Sequence, residues 1–280
     1  MANLFSGLEA FGLGKMSNMD VYAPDEKTKK SDGQGEEKVE IVEADLLFDK
    51  GYTCPVCDKE FKSKTVKTGK VKLISADTDL RPKYQHVDSL KYDAVVCPHC
   101  GYSALNRFFN YMTSLQAKLI KEQISSSFKG MSVDEETYSY DTAITRHKLA
   151  LVNTIVKKSK ISERAYTCLK TGWLIRGKAE ALKAEDLTGE KKNEISQLQK
   201  EEAEFLLNAY EGFTDAFSKE MFPMCGMDEN TMTYLVADLA RRAGKTEEAS
   251  RWISKVLISR DANERIKSKA RELKDMLKEG

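Results

Sequence analysis

Histidine is scarce in this sequence, with three in 280 residues. That leaves little material for a His-ligated catalytic metal. No Ser–His–Asp arrangement and no phosphate-cradling glycine loop accompanies them, so the enzyme question stays open and leans towards no. An excess of one charge is lacking too. Lys and Arg total 45, Asp and Glu 44, and the net charge is +1. No global field therefore draws the chain to nucleic acid or to a membrane surface. No apolar run approaches the roughly 20 residues that span a bilayer. The N-terminus lacks the basic segment followed by an apolar one that marks a secretory signal. What remains, 41% hydrophobic and 32% charged residues, describes a soluble, helix-rich chain long enough for two cores.

Cysteine is where chemistry concentrates. Four of the six fall in two short turns, Cys54-Pro55-Val56-Cys57 and Cys97-Pro98-His99-Cys100. A Cys-x-x-Cys turn brings two sulfurs close enough to share a metal, and zinc favours four such ligands in a tetrahedron. Proline after the first cysteine stiffens each turn. Gly101, directly after the fourth, can take a positive φ and curl the chain under the metal. Two turns fill the coordination shell, which makes a structural zinc site rather than a catalytic one. The gap between them is 39 residues, against roughly 15–20 in an ordinary ribbon, so an insertion is expected there. A rival reading takes Cys97 and Cys100 as a thiol–disulfide oxidoreductase pair, with a helix starting after them to lower the first thiol's pKa. Cysteines in metal-type pairs fit a reducing, cytoplasmic setting. Cys168 and Cys225 lie in helical contexts and read as buried thiols.

Along the chain, residues 1–40 read as an arm. Leu4, Phe5, Leu8, Phe11 and Leu13 are loosely helical in spacing, and a polar, aperiodic linker follows. Residues 41–103 read as a zinc-ribbon-like module. Phe61, Val66, Val71, Leu73 and Ile74 alternate as in strands, with Lys67-Thr68-Gly69-Lys70 as an expected hairpin turn. Between Lys59 and Lys91, Lys59, Lys62, Lys64, Lys67, Lys70, Lys72, Arg81, Lys83 and Lys91 outweigh Glu60, Asp77, Asp79 and Asp88 by a formal +5. Beside a ribbon that excess raises nucleic-acid binding as an alternative; the simpler reading is a solvated sheet face. Asp77, Asp79, Arg81 and Tyr84 either hold a ligand or brace a long loop, and bracing is the simpler of the two.

From Leu105 the period turns helical. Leu105, Phe108, Phe109, Met112, Leu115, Leu119 and Ile120 predict one helix ending near Gly130, with Ser132-Val133-Asp134-Glu135 as a capping box for the next. Over 104–280 a pattern of Ala, a large residue, a small residue and a large one recurs. It occurs at Ala143/His147/Ala150/Leu151, Ala209/Phe213/Ala216/Phe217 and Ala249/Ile253/Val256/Leu257. Small residues let helices approach, as in the second helix of a tetratricopeptide hairpin. His147 fills a core slot of the pattern and reads as packed rather than ligating. Trp173 and Trp252 read as inter-helix filler.

The order Cys-Pro-Val-Cys, then Asp77-Thr78-Asp79-Leu80-Arg81-Pro82-x-Tyr84, then Tyr92-Asp93-x-x-Val96-Cys97-Pro98-x-Cys100-Gly101-Tyr102 resembles an uncharacterised bacterial family, domain of unknown function 2225. Its members join an N-terminal double Cys-x-x-Cys module to tetratricopeptide-like helices. The resemblance runs from about residue 43 to the end and implies that the four cysteines are metal ligands; it implies no activity. The expectation is an α+β chain, mainly α: a small zinc-ribbon-like β module followed by an antiparallel helical stack. Its role is that of a structural-zinc protein whose helical groove binds a protein or peptide.

Overall fold

The computed structural model describes residues 41–132, 135–184 and 188–279. The arm expected over 1–40 lies outside these residues, as do Val133, Asp134 and 185–187. Among the described residues there are six short strands, followed by seven α-helices. The fold is α+β and mainly α.

The strands form three separate antiparallel hairpins rather than one sheet. Strand β1 (Leu47–Thr53) pairs with β2 (Glu60–Val66), β3 (Leu73–Ala76) with β4 (Pro82–Tyr84), and β5 (Ala94–Val96) with β6 (Ser103–Leu105). The first and third carry the two cysteine turns at their tips. The second is the expected insertion. An isolated two-stranded hairpin is marginal in water, and these two are held by a shared aromatic core. Tyr52 opposes Phe61 in the β1–β2 ladder with the rings stacked at 5.7 Å, and Phe109 packs edge-on to both. Tyr102 from the other hairpin joins at 4.9 Å and donates from its hydroxyl to the Phe109 carbonyl at 2.8 Å.

Three local expectations are corrected. Lys67–Lys70 is not a hairpin turn; it holds a short 3-10 turn (Thr68–Lys70) that links β2 to β3, strands that do not pair. The turn that reverses the chain is Asp77–Arg81, where Asp77 N–H donates to the Arg81 carbonyl and Leu80 takes φ 68°. The helix expected from Leu105 begins only at α1 (Ser114–Ile120), capped reciprocally by Thr113 and Gln116, and runs on as a π turn, Lys121–Ser125. Ser103–Leu105 is drawn into the ladder opposite Ala94–Val96 instead. Leu105 is buried opposite Ala94 in that ladder and Phe109 in the aromatic core, so their spacing does not reflect a helix face. Finally, the next helix opens at Tyr140, where Ser139 caps it and accepts from Thr142 N–H, and the capping box expected at Ser132–Glu135 lies partly outside the described residues, at Val133 and Asp134.

Helices α2 (Tyr140–Val156), α3 (Ile161–Lys183), α4 (Gly189–Lys219), α5 (Glu229–Arg242), α6 (Thr246–Ile258) and α7 (Glu264–Glu279) follow, each packed on the next. Of the twelve recurring positions nine are fully buried, and Leu151, Phe217 and Leu257 are half-buried against the cores. Ala143, His147, Ala150, Ala209, Phe213, Ala216, Ala249, Ile253 and Val256 are at most 1% exposed. The α3–α4 contact is close because Gly212 has no side chain; a Cβ there would sit 2.8 Å from that of Ala165. Helix α2 also packs on β5 and β6. At that junction Arg146, 1% exposed, donates to the Ala94 carbonyl and the Ser63 hydroxyl and lies 4.5 Å over the Tyr138 ring. Cys168 and Cys225 are buried free thiols. Trp173 is buried, and Trp252 packs on Phe217 at 5.0 Å.

Candidate metal centre

The two cysteine turns are built alike. Cys54 N–H donates to the Lys59 carbonyl and Asp58 N–H to the Cys54 carbonyl. In the second turn Cys97 N–H donates to the Tyr102 carbonyl and Gly101 N–H to the Cys97 carbonyl. The residue after the second cysteine is left-handed in both, Asp58 at φ 59° and Gly101 at φ 74°. Gly101 answers to the sequence reading. Asp58 was not singled out, although aspartate is among the few non-glycine residues that enter this region readily. At Gly101 the absent side chain also makes room, since a Cβ would meet the Phe128 ring at 2.7 Å.

This repeated geometry brings all four sulfurs together. One ligand atom from each of Cys54, Cys57, Cys97 and Cys100 lies within 4.8 Å of every other. The nearest contacts cross between hairpins: Cys54 to Cys100 at 3.5 Å and Cys57 to Cys97 at 3.7 Å. None is a disulfide, whose sulfurs would sit about 2.0 Å apart. Cys54, Cys97 and Cys100 are buried and Cys57 is half-buried. The backbone amides of Val56 and Cys57 point at the Cys54 sulfur, those of His99 and Cys100 at Cys97, and that of Tyr102 at Cys100. Such amides stabilise thiolate charge.

Cys54, Cys97 and Cys100 influence one another. Hydrogen bonds from Cys100 and Cys54 hold Cys97 down at about 2. Cys100 is pushed far up by its bonding to Cys54 and Cys97. The Cys100 contact lowers Cys54, but Cys97 and burial outweigh it and leave the thiol at about 12. Four thiolates this close together repel one another and require a cation among them. The donor set fits a metal ion that accepts four soft ligands.

The other expected site residues are elsewhere. Asp79 is fully buried in the helical stack. It accepts from Trp173 Nε1 at 3.0 Å and Arg176 NH1 at 3.0 Å, with Arg242 3.5 Å away. Arg81, 4% exposed, pairs with Glu180 at 3.0 Å and with Asp77 and Asp88 at 3.6 Å. Tyr84 is partly buried against the small core of Leu46, Val66, Val87 and Tyr92. These contacts tie the β3–β4 loop to α3 and α5. Burial raises the Asp79 carboxyl, but the hydrogen bond and charge of Arg176 prevail and hold it below the usual carboxylate range. The basic excess over 59–91 is partly neutralised. Arg81 and Lys83 face Asp77 and Glu180, Lys91 pairs with Glu43 at 2.7 Å, and Lys64 with Asp49 at 3.0 Å. Among the described residues, Lys59, Lys62, Lys67, Lys70 and Lys72 make no ion pair. His147 is fully buried and bonds through Nδ1 to the Ala143 carbonyl.

The helix that an oxidoreductase reading needs after Cys97 is absent; the turn leads into β6. No described helix is long and apolar enough to cross a membrane. A family model described as "Uncharacterized protein conserved in bacteria (DUF2225)" matches residues 47–277. No curated protein and no solved structure matches the chain.

Proposed function

This chain belongs to that uncharacterised bacterial family, and we propose that its cysteines form a structural zinc centre in a protein that acts by binding other proteins or peptides. The observation that carries the metal reading is the convergence of four sulfurs from two like turns. A zinc–sulfur bond of about 2.3 Å implies sulfur pairs about 3.8 Å apart in a tetrahedron. The cross-hairpin contacts of 3.5 and 3.7 Å lie close to that spacing. Four protein ligands leave no open position for substrate, which supports a structural role. Cys54, Cys57, Cys97 and Cys100 would hold the ion, which would join two hairpins too small to stand alone. The binding role is supported by the helical half. Its inward-facing small and large positions suit a tetratricopeptide-like stack, and such stacks offer extended grooves to peptides. A cytoplasmic, reducing setting accords with six free thiols.

Elemental analysis of the purified chain tests the metal. About one equivalent of zinc is expected; less than about half, with thiols that cycle to disulfides, would reject it. Proximity labelling in the native cell tests the binding role, and a return of no specific protein partner would remove its support. The five lysines without ion pairs favour nucleic acid as a second reading. A gel shift at low salt with generic RNA and DNA decides that one, because phosphate contacts are strongest there.

A further inference from the structure

Beside the first cysteine turn lies a groove of about 450 Å³ whose lining includes Pro55, Met112, Ala117, Lys118 and Lys121. Its charged lining is of one sign. Three other surface grooves of comparable size each carry both signs, as Glu60 with Lys62, or Glu247 with Arg251. The two ammonium groups are available. Lys118 faces Glu122 at 3.8 Å, with both side chains more than half exposed, and such a pair contributes little. Lys121 makes no ion pair among the described residues. Two large apolar side chains flank the groove in sequence and stand in solvent, Tyr111 at 74% exposed and Leu115 at 69%. The groove itself is mixed, with Pro55, Met112 and Ala117 beside Thr113, Ser114 and the two lysines. An exposed tyrosine next to such a hollow is a residue type enriched at binding hot spots. The volume suits one bulky side chain of a partner, at the small end of ligand pockets.

We infer that this groove docks a short acidic peptide carrying one bulky apolar anchor, and that it is complete only when the cysteine cluster holds its metal. The charge argument fixes the flanking carboxylates, and Met112 and Ala117 fix the anchor. The metal requirement follows from Pro55, which lies between Cys54 and Cys57 and forms one wall. That half of the inference rests on the metal centre proposed above.

The test uses the full chain and fluorescent decapeptides with a central Leu, Phe or Trp flanked by Asp and Glu. Matched peptides carry Lys for the acids or Ser for the anchor. Anisotropy reads binding, and zinc is measured in every sample. The acidic, anchored peptides should bind at least about tenfold more tightly than either control. A Lys118→Glu/Lys121→Glu variant should reverse the charge preference, and Leu115→Ala should weaken binding about tenfold. All three positions are exposed or partly exposed, so the fold should persist. Stripping the metal should abolish binding. Absence of binding by any acidic peptide to zinc-loaded protein below about 1 mM overturns the docking site alone. So does indifference to the charge reversal, or a labelled single-stranded RNA that binds there in the peptide's place. Lysine-dependent peptide binding by a chain that holds no zinc overturns the metal requirement and leaves the surface standing.

Discussion

The Sγ atoms of Cys54 and Cys100 lie 3.5 Å apart although 46 residues separate them in sequence. Each belongs to a hairpin with its own ladder, so the contact joins structures that have no strand pairing in common. Replacing Cys100 with Ser should therefore do more than remove a ligand. We expect metal content to fall from one equivalent to none, and the melting temperature to drop by about 10 °C or more. Calorimetry of wild type, variant and chelator-treated wild type checks this. The last two should coincide.

Gly101 and Gly130 give a controlled comparison. Both have positive φ, 74° and 92°, but a Cβ at Gly101 meets the Phe128 ring at 2.7 Å whereas at Gly130 the nearest atom is 3.7 Å away. Gly130→Ala should cost about 1 kcal/mol, the left-handed penalty alone. Gly101→Ala should cost about 1–3 kcal/mol more through overpacking, measured by urea denaturation with metal in excess.

Acid should act on His147. Burial depresses its imidazole from 6.5 to about 4. The folded state then holds it neutral, so its stabilisation is complete above the unfolded value and is lost as pH falls from 6.5 towards 4. The loss is about 3 kcal/mol. The difference in unfolding free energy between wild type and His147→Gln should slope across that window and flatten above it. A difference that stays constant from pH 8 to 4 would contradict the assignment.

Asp79 and Arg176 should show strong coupling. Asp79 has no exposure and Arg176 donates to both of its oxygens. Removing one partner of a buried pair costs about 3–5 kcal/mol, and removing both often costs less than the sum. A cycle of Asp79→Leu, Arg176→Met and the double variant should give a coupling of about 1–3 kcal/mol. Because the Asp79 carboxyl is held below 3.8, its contribution is present above that pH and lost as pH falls further.

The cysteine cluster was legible because the signal is local: two Cys-x-x-Cys turns name the four sulfurs that meet without help from the rest of the fold. The inward faces of α2, α4 and α6 were legible for the same reason, since a helix repeats its buried face every three or four residues. The stretch from Leu105 to Met112 misled because burial in an irregular core can mimic that period. The partners of Asp79 and Arg81 were hidden. Their loop is conspicuous in sequence, but Arg176, Glu180 and Arg242 lie about a hundred or more residues away, and no spacing rule connects them.

The reach of that loop bears on synthesis. Thr78 donates to Asp238 at 2.8 Å across 160 residues, and the Tyr234 hydroxyl donates to the Thr78 carbonyl. While the chain is emerging from the ribosome, both cysteine turns are synthesised long before α5 has left the exit tunnel. The segment between them finds its partners in two steps, Asp77 and Asp79 when α3 is made and Thr78 only when α5 follows. The cysteine turns can thus meet before the structure closes around them, and a chain broken off before α5 would keep the contacts of its central loop with Trp173, Arg176 and Glu180 but lack those with Tyr234 and Asp238.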